Sequence, residues 1–109
     1  MNFYIGNSLE EINMADANVE FNDELLAFIY KLSKQVSFNM SKLLIDPYED
    51  VEISKNDLPQ IIEICNYLIE KSLLLNYGED GEGNKALQDL VEIARNAMAR
   101  GLGLVSIGD

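Results

Sequence analysis

The sequence contains no histidine, and Cys65 is its one cysteine. Histidine is the commonest general base, a usual ligand of catalytic zinc, and the activating partner of serine and cysteine nucleophiles. Its absence disfavours most hydrolase chemistry, and one cysteine cannot build a cysteine-rich zinc site or an intramolecular disulfide. We expect no catalytic residues, no metal site and no cofactor. An enzyme is the weakest alternative, because it would need a cleft of carboxylates with strongly shifted pKa values.

Positive charge is also scarce: eight lysines and arginines stand against nineteen aspartates and glutamates, which leaves a formal net charge of -11. Proteins bind phosphate backbones and anionic lipids through clusters of lysine and arginine, and such clusters are missing here. We therefore expect neither a nucleic acid nor a membrane as a partner. The acidic excess has two explanations, since it either keeps the protein soluble or attracts a basic protein partner.

Long apolar runs are absent as well. No run approaches the roughly 18 residues that cross a bilayer, and the first residues lack the basic and apolar pattern of a secretory leader. A cytoplasmic location is the simplest expectation. The 109 residues, of which 48% are hydrophobic, suit one globular domain over 1–109 with a single core.

The spacing of apolar residues predicts an α/β domain of the α+β type, in which a small sheet of three to four short strands packs against three main helices. Strands are predicted at 1–5, 51–53 and 102–107, and residues 43–45 are either a further strand or the lead-in to the strand at 51–53. Helices are predicted at about 22–36, 57–76 and 84–100. Asn22 and Asp57 are the expected N-caps of the first two helices, and Gly101 is the expected C-cap of the third. The polar stretch around Asp16 and Asn18 predicts a loop.

Two acidic segments each begin with a tyrosine, and they are the candidate partner-binding sites. The first comprises Tyr48, Glu49, Asp50 and Glu52, and the second comprises Tyr77, Glu79, Asp80 and Glu82. An aromatic anchor ringed by carboxylates suits a surface that binds a protein rich in arginine and lysine. For each segment the alternative is a turn with a half-buried tyrosine. The glycines between residues 77 and 84 make the second segment a predicted flexible loop.

Three short segments carry a resemblance to other proteins: Ile45-Asp46-Pro47-Tyr48-Glu49-Asp50-Val51, the helix entry Asp57-Leu58-Pro59-Gln60, and the terminal Ile107-Gly108-Asp109. Together they resemble a group of small bacterial proteins that share an Asp-Pro-Tyr-x-Asp segment, a following helix and an Ile-Gly-Asp ending. The resemblance covers about the last two thirds of the chain. The compact, acidic character is similar to that of immunity proteins of bacterial toxin systems. The resemblance implies an immunity or inhibitor protein that neutralises a basic toxin domain, with a nuclease among the candidates.

A structural or regulatory subunit is the alternative function. The predicted last strand places Leu102, Leu104 and Ser106 on one side and Gly103, Val105 and Ile107 on the other, so that both of its faces are largely apolar. A small sheet could leave one of these faces uncovered. The strand would then favour a homo-oligomer or a place in a larger assembly.

Overall fold

The structure of the chain is a computed structural model that describes residues 1–13, 15–78 and 81–108. It contains four strands, β1 (Asn2–Ile5), β2 (Val19–Glu20), β3 (Val51–Ile53) and β4 (Leu104–Ile107), in the sheet order β2-β1-β4-β3. Every pairing between neighbouring strands is antiparallel. Three helices accompany the sheet: α1 (Asp23–Ser33), α2 (Leu58–Glu70) and α3 (Glu82–Ala99). The α+β prediction, with a small sheet and three main helices, is confirmed.

The helices pack on one face of the sheet and form the main core with it. Period-two alternation sends Phe3 and Leu104 to this face, where both side chains are fully buried. The three helices contribute their apolar stripes, with α2 and α3 packed extensively against each other. The buried residues of these stripes are Leu25, Leu26, Ile29 and Leu32 of α1, Leu58, Ile61, Ile64, Cys65 and Leu68 of α2, and Leu87, Leu90, Val91, Ile93, Ala94 and Ala97 of α3.

The opposite face of the sheet is covered by the segment that follows β1. Tyr4 and Val105 are cross-strand partners on this face, and both are buried although neither joins the main core. The backbone amide of Leu9, in a short 3-10 helix, donates to Oε2 of Glu52 at 3.1 Å, and Glu52 is paired with Val105. Both sides of β4 are therefore covered within one chain. The exposed apolar strand that suggested a homo-oligomer is not present as a surface.

Two predicted helix caps are confirmed. Asn22 Oδ1 accepts from the Leu25 amide at 2.8 Å, which satisfies one of the free amides in the first turn of α1. Gly101 follows α3 with a φ of +70°, and its amide donates to the Met98 carbonyl. The Leu102 amide donates to the Ala97 carbonyl at 2.9 Å, which completes a Schellman motif and turns the chain back into β4.

Three local predictions need correction. Of the two alternatives for residues 43–45, the strand is wrong, because the backbone bonds of these residues are local and continue from a 3-10 helix over Ser41–Leu43. A short apolar run cannot distinguish a strand from a buried helical turn. The second helix ends at Glu70, before a turn in which Ser72 has a φ of +53°. Asp57 occupies the N-cap position of α2 as predicted, but its side chain makes no capping hydrogen bond, and a 3-10 helix capped by Ser54 leads into α2.

Strand β2 was not predicted, since it follows the predicted polar loop directly and has only two residues. It is held by pairing with β1 and by a side-chain bond of 2.7 Å from Asn2 Nδ2 to Asn18 Oδ1. Within the described residues, no helix is long and apolar enough to cross a membrane.

Candidate functional site

Residues 46–50 form a tight turn, which we call the Tyr48 turn. Asp46 Oδ1 accepts from the Tyr48 amide at 2.9 Å, and the Asp46 carbonyl accepts from the Glu49 amide at 3.4 Å. Aspartate at the first position and proline at the second are the residues that such a turn favours, because one bonds the backbone locally and the other presets φ. The turn places Tyr48 near its tip, where 68% of the residue is exposed.

The end of β4 holds the Tyr48 turn against the sheet. The Gly108 amide donates to Asp50 Oδ1 at 2.9 Å, across 58 positions of sequence. A Cβ at Gly108 would lie 2.6 Å from both the Tyr48 carbonyl carbon and the Glu49 nitrogen, so the close approach of the two backbones requires glycine. Two of the segments that carry the resemblance thus meet in space. Asp109, the last residue of the Ile107-Gly108-Asp109 segment, lies outside the described residues.

The helix entry Asp57-Leu58-Pro59-Gln60, which also carries the resemblance, contacts the chain just before the Tyr48 turn. Lys42 Nζ lies 3.4 Å from Oδ1 of Asp57, which joins the start of α2 to the 3-10 helix that precedes the Tyr48 turn. The carboxylate of Glu52 accepts from the Leu9 amide, as described above. Tyr48, Glu49, Asp50 and Glu52 therefore belong to one unit of turn and strand. Within the described residues, the side-chain carboxylate of Glu49 has no hydrogen-bond or ion-pair partner.

The second predicted segment differs, because Tyr77 lies in the core with 8% of its surface exposed. Its hydroxyl donates to Asn22 Oδ1 at 3.1 Å, and its ring meets Phe28 edge-on at a centroid distance of 5.3 Å. Burial raises the pKa of Tyr77, and the negative charges of Glu82 and Glu24 act in the same direction. The ring therefore packs inside the domain, which is closer to the alternative of a half-buried tyrosine than to a surface anchor.

Of the three acids in the segment that begins at Tyr77, the structure describes one. Glu82 is the first residue of α3 and is exposed, where its negative charge suits the N-terminal end of the helix dipole. Glu79 and Asp80 lie outside the described residues. The structure thus brings four of the predicted residues together at the Tyr48 turn and buries the tyrosine of the other segment.

An open groove lies between α1 and residues 43–48, and we call it the α1 groove. Its volume is about 630 Å³, within the range of about 300–1,000 Å³ that is typical of ligand pockets. Leu26 and Leu43 line it with buried side chains. Three large apolar side chains at the groove are exposed to solvent: Tyr30 (52%), Leu44 (38%) and Tyr48 (68%).

Sequence patterns did not identify the α1 groove. The apolar run at 43–45 predicts a strand or the lead-in to one, and no pattern places Tyr30 beside Tyr48. The available signal was the position of Tyr30 off the apolar stripe of α1, since an aromatic residue on the polar side of a helix is exposed.

Charged groups at the α1 groove are of both signs, with acids in the majority. Asp23 and Asp46 line it, and Lys31 is the lysine among its lining residues. In the described parts of the chain, the ion pairs of lysine side chains are Lys42 with Asp57 and Lys85 with Asp89. Neither pair neutralises an acid of the groove lining.

Among residues 1–13, 15–78 and 81–108, no group of three or more cysteine, aspartate or glutamate side chains is arranged to hold a metal ion. No family model, curated protein or solved structure matches the chain.

Proposed function

We propose that this protein is a non-catalytic binding protein, an immunity or inhibitor protein that neutralises a basic bacterial toxin domain. One observation supports the proposal above the others. An exposed aromatic side chain, Tyr48, stands on a turn that is fixed by its own hydrogen bonds and by the end of β4, with the free carboxylate of Glu49 beside it. A rigid aromatic anchor with adjacent charge is typical of a protein-binding hot spot.

Rigidity of the turn favours binding because little conformational entropy is lost when the partner arrives. The Asp46 side chain and the Gly108 amide hold the turn before any partner binds. Ordering a side chain or loop costs about 0.5–1.5 kcal/mol for each flexible group, so a preformed turn retains more of the contact energy.

The net charge of -11 adds speed to this binding. Complementary charge raises association rates by about 10- to 1,000-fold at low ionic strength. Fast capture suits an inhibitor, since a toxin does damage for as long as it remains free. A nuclease is the best candidate among basic toxins, because it must carry the lysines and arginines that bind phosphate backbones. For such a toxin the place of encounter is the cytoplasm, where its nucleic acid targets lie.

Expression of the adjacent gene product in bacterial cells, with and without this chain, tests the proposal. We expect the adjacent product to arrest growth alone, and co-expression of this chain to restore growth and yield a purified complex. Glu49→Lys should weaken the complex by at least about tenfold, because it places like charge against a basic partner. Glu70→Lys is the matched control, since Glu70 is exposed at the last position of α2 and lines neither the Tyr48 turn nor the α1 groove. An adjacent product that neither harms cells nor binds this chain would contradict the proposal.

A further inference from the structure

We infer that the α1 groove is a recognition pocket for an arginine side chain, carried on an apolar segment of the basic protein partner. The inference rests on the proposed function for the identity of the partner as a protein. It goes beyond that function by locating the contact and naming the side chain.

The apolar surface of the groove favours an apolar segment around the arginine. Leu26 and Leu43 are buried at the groove, while Leu44 and the two tyrosines keep large apolar surfaces in water. Burying apolar surface stabilises a complex by roughly 25 cal/mol per Å², and contiguous exposed apolar surface is a common mark of a binding site. The groove therefore favours an apolar backbone segment or aliphatic stem over a fully solvated chain.

The aromatic rings of the groove favour a cation, because a positive charge is attracted to the face of a tyrosine ring. Lys34 Nζ lies 4.7 Å from the centroid of the Tyr30 ring, so one tyrosine of the groove already holds a cation over its face. Among the described residues, no such cation lies over the Tyr48 ring, which is the more exposed of the two. A guanidinium stacks on such a ring better than an ammonium does, because it is planar and more weakly hydrated.

The acids at the groove complete the match to arginine. Asp23 and Asp46 line the groove, and a carboxylate can receive two parallel N–H bonds from one guanidinium. Asp46 uses one oxygen for the Tyr48 amide, so its other oxygen is available for a single N–H bond, and Asp23 is the carboxylate with both oxygens available. Lys31 at the groove and Lys34 over the Tyr30 ring offset the charge of the two aspartates. The acids therefore supply hydrogen-bond acceptors, and the preference for a cation comes from the Tyr48 ring and from the net charge of -11.

A second copy of the chain is a poor occupant of the same groove. Each copy carries a formal charge of -11, so bringing two copies together would place like charges against each other. A basic segment gains attraction where a second copy meets repulsion. Apolar surface alone would accept either a basic partner or a second copy of this chain, and charge favours the basic partner.

Titration of the ¹⁵N-labelled chain with short peptides, followed by NMR, tests the inference. The probes are acetyl-Leu-Arg-Leu-amide, its lysine counterpart of equal charge, and its citrulline counterpart, which is neutral and similar in shape. We expect the arginine peptide to shift the amide signals of Leu26, Leu44 and Tyr48, and to bind about two- to fivefold more tightly than the lysine peptide. The citrulline peptide should bind most weakly.

Two variants give the titration its control. Tyr48→Ser should weaken the arginine peptide by about two- to fivefold, whereas Leu75→Ser should leave its affinity unchanged. Leu75 and Tyr48 are equally exposed, at 68%, and Leu75 does not line the groove. Equal affinity for the arginine and lysine peptides, or equal loss in both variants, would overturn the inference. Groove signals that shift on dilution of the free protein would overturn it in favour of a second copy.

The outcomes separate this inference from the proposed function. If the adjacent gene product is harmless while the arginine peptide binds in the groove, the pocket stands and the immunity role fails. If the adjacent product binds wild type and Tyr48→Ser equally well, and the peptides do not discriminate, the pocket fails and the immunity role stands.

Discussion

Gly108→Ala should destabilise the protein and loosen the Tyr48 turn at the same time. The added methyl group would lie 2.6 to 2.7 Å from Tyr48 and Glu49 backbone atoms, which cannot rotate away as a side chain could. Either the end of β4 or the turn must move, and the bond from the Gly108 amide to Asp50 is then stretched. Overpacking of this kind costs about 1–3 kcal/mol. We expect a loss near the middle of that range, about 2 kcal/mol.

Urea unfolding followed by circular dichroism measures this loss of free energy. In thermal unfolding, the Tm of the variant should be lower than that of wild type by roughly 10 °C. Asp50→Ala, which removes the acceptor, should cost about 1 kcal/mol, while Asp50→Asn keeps an acceptor oxygen and should cost less. Because Gly108→Ala and Asp50→Ala damage the same link, their combined loss should fall short of the sum by about 0.5 kcal/mol or more. A Gly108→Ala protein as stable as wild type, or strictly additive losses, would refute the proposed attachment of the turn to β4.

Two further predictions concern the core. Tyr77→Phe should lower the free energy of unfolding by about 1 kcal/mol, and Asn22→Ala by about 1–2 kcal/mol, because Asn22 also caps α1. Urea unfolding in which Tyr77→Phe costs nothing would contradict a stabilising role for the hydroxyl bond to Asn22. Burial raises the pKa of Cys65 from 9.0 to about 12, so a thiol reagent at about pH 8 should modify the unfolded chain and leave the native protein unmodified. The unfolded thiol ionises first as the pH rises, so wild type should lose stability relative to Cys65→Ala between about pH 9 and pH 12; parallel pH profiles would contradict this.

Local signals in the sequence were sufficient for most of the fold. Asn22 before an apolar stripe and Gly101 after one identify helix ends, because a cap depends on residues within one turn of each other. The strict alternation of Val51, Glu52 and Ile53 likewise identifies β3. These patterns need no knowledge of the rest of the chain.

Features that depend on distant contacts could not be predicted. Residues 43–45 are apolar enough for a strand, but Leu43 ends a 3-10 helix that packs against α2. Tyr77 is buried because Phe28 and Asn22, about fifty positions away, provide a ring contact and an acceptor. No local pattern distinguishes this tyrosine from Tyr48, which is also followed by acids.

The candidate site was predicted in part for the same reason. Tyr48, Glu49 and Asp50 are adjacent in sequence, so their grouping needed no tertiary information. The role of Gly108 depends on the antiparallel pairing of β3 with β4, which brings the end of the chain against the turn. The α1 groove similarly depends on how α1 packs beside residues 43–48.

The affinity of the adjacent gene product for this chain, measured by calorimetry for wild type, Tyr48→Ser and Leu75→Ser, tests the central claim most directly. We expect Tyr48→Ser to weaken binding by about thirtyfold or more, which corresponds to the loss of about 2 kcal/mol that defines a hot spot. Leu75→Ser should match wild type, and wild-type affinity should fall as salt rises from about 50 to 300 mM, because screening weakens charge attraction. Equal affinities for the two variants, or an affinity insensitive to salt, would contradict binding of a basic partner at the Tyr48 turn.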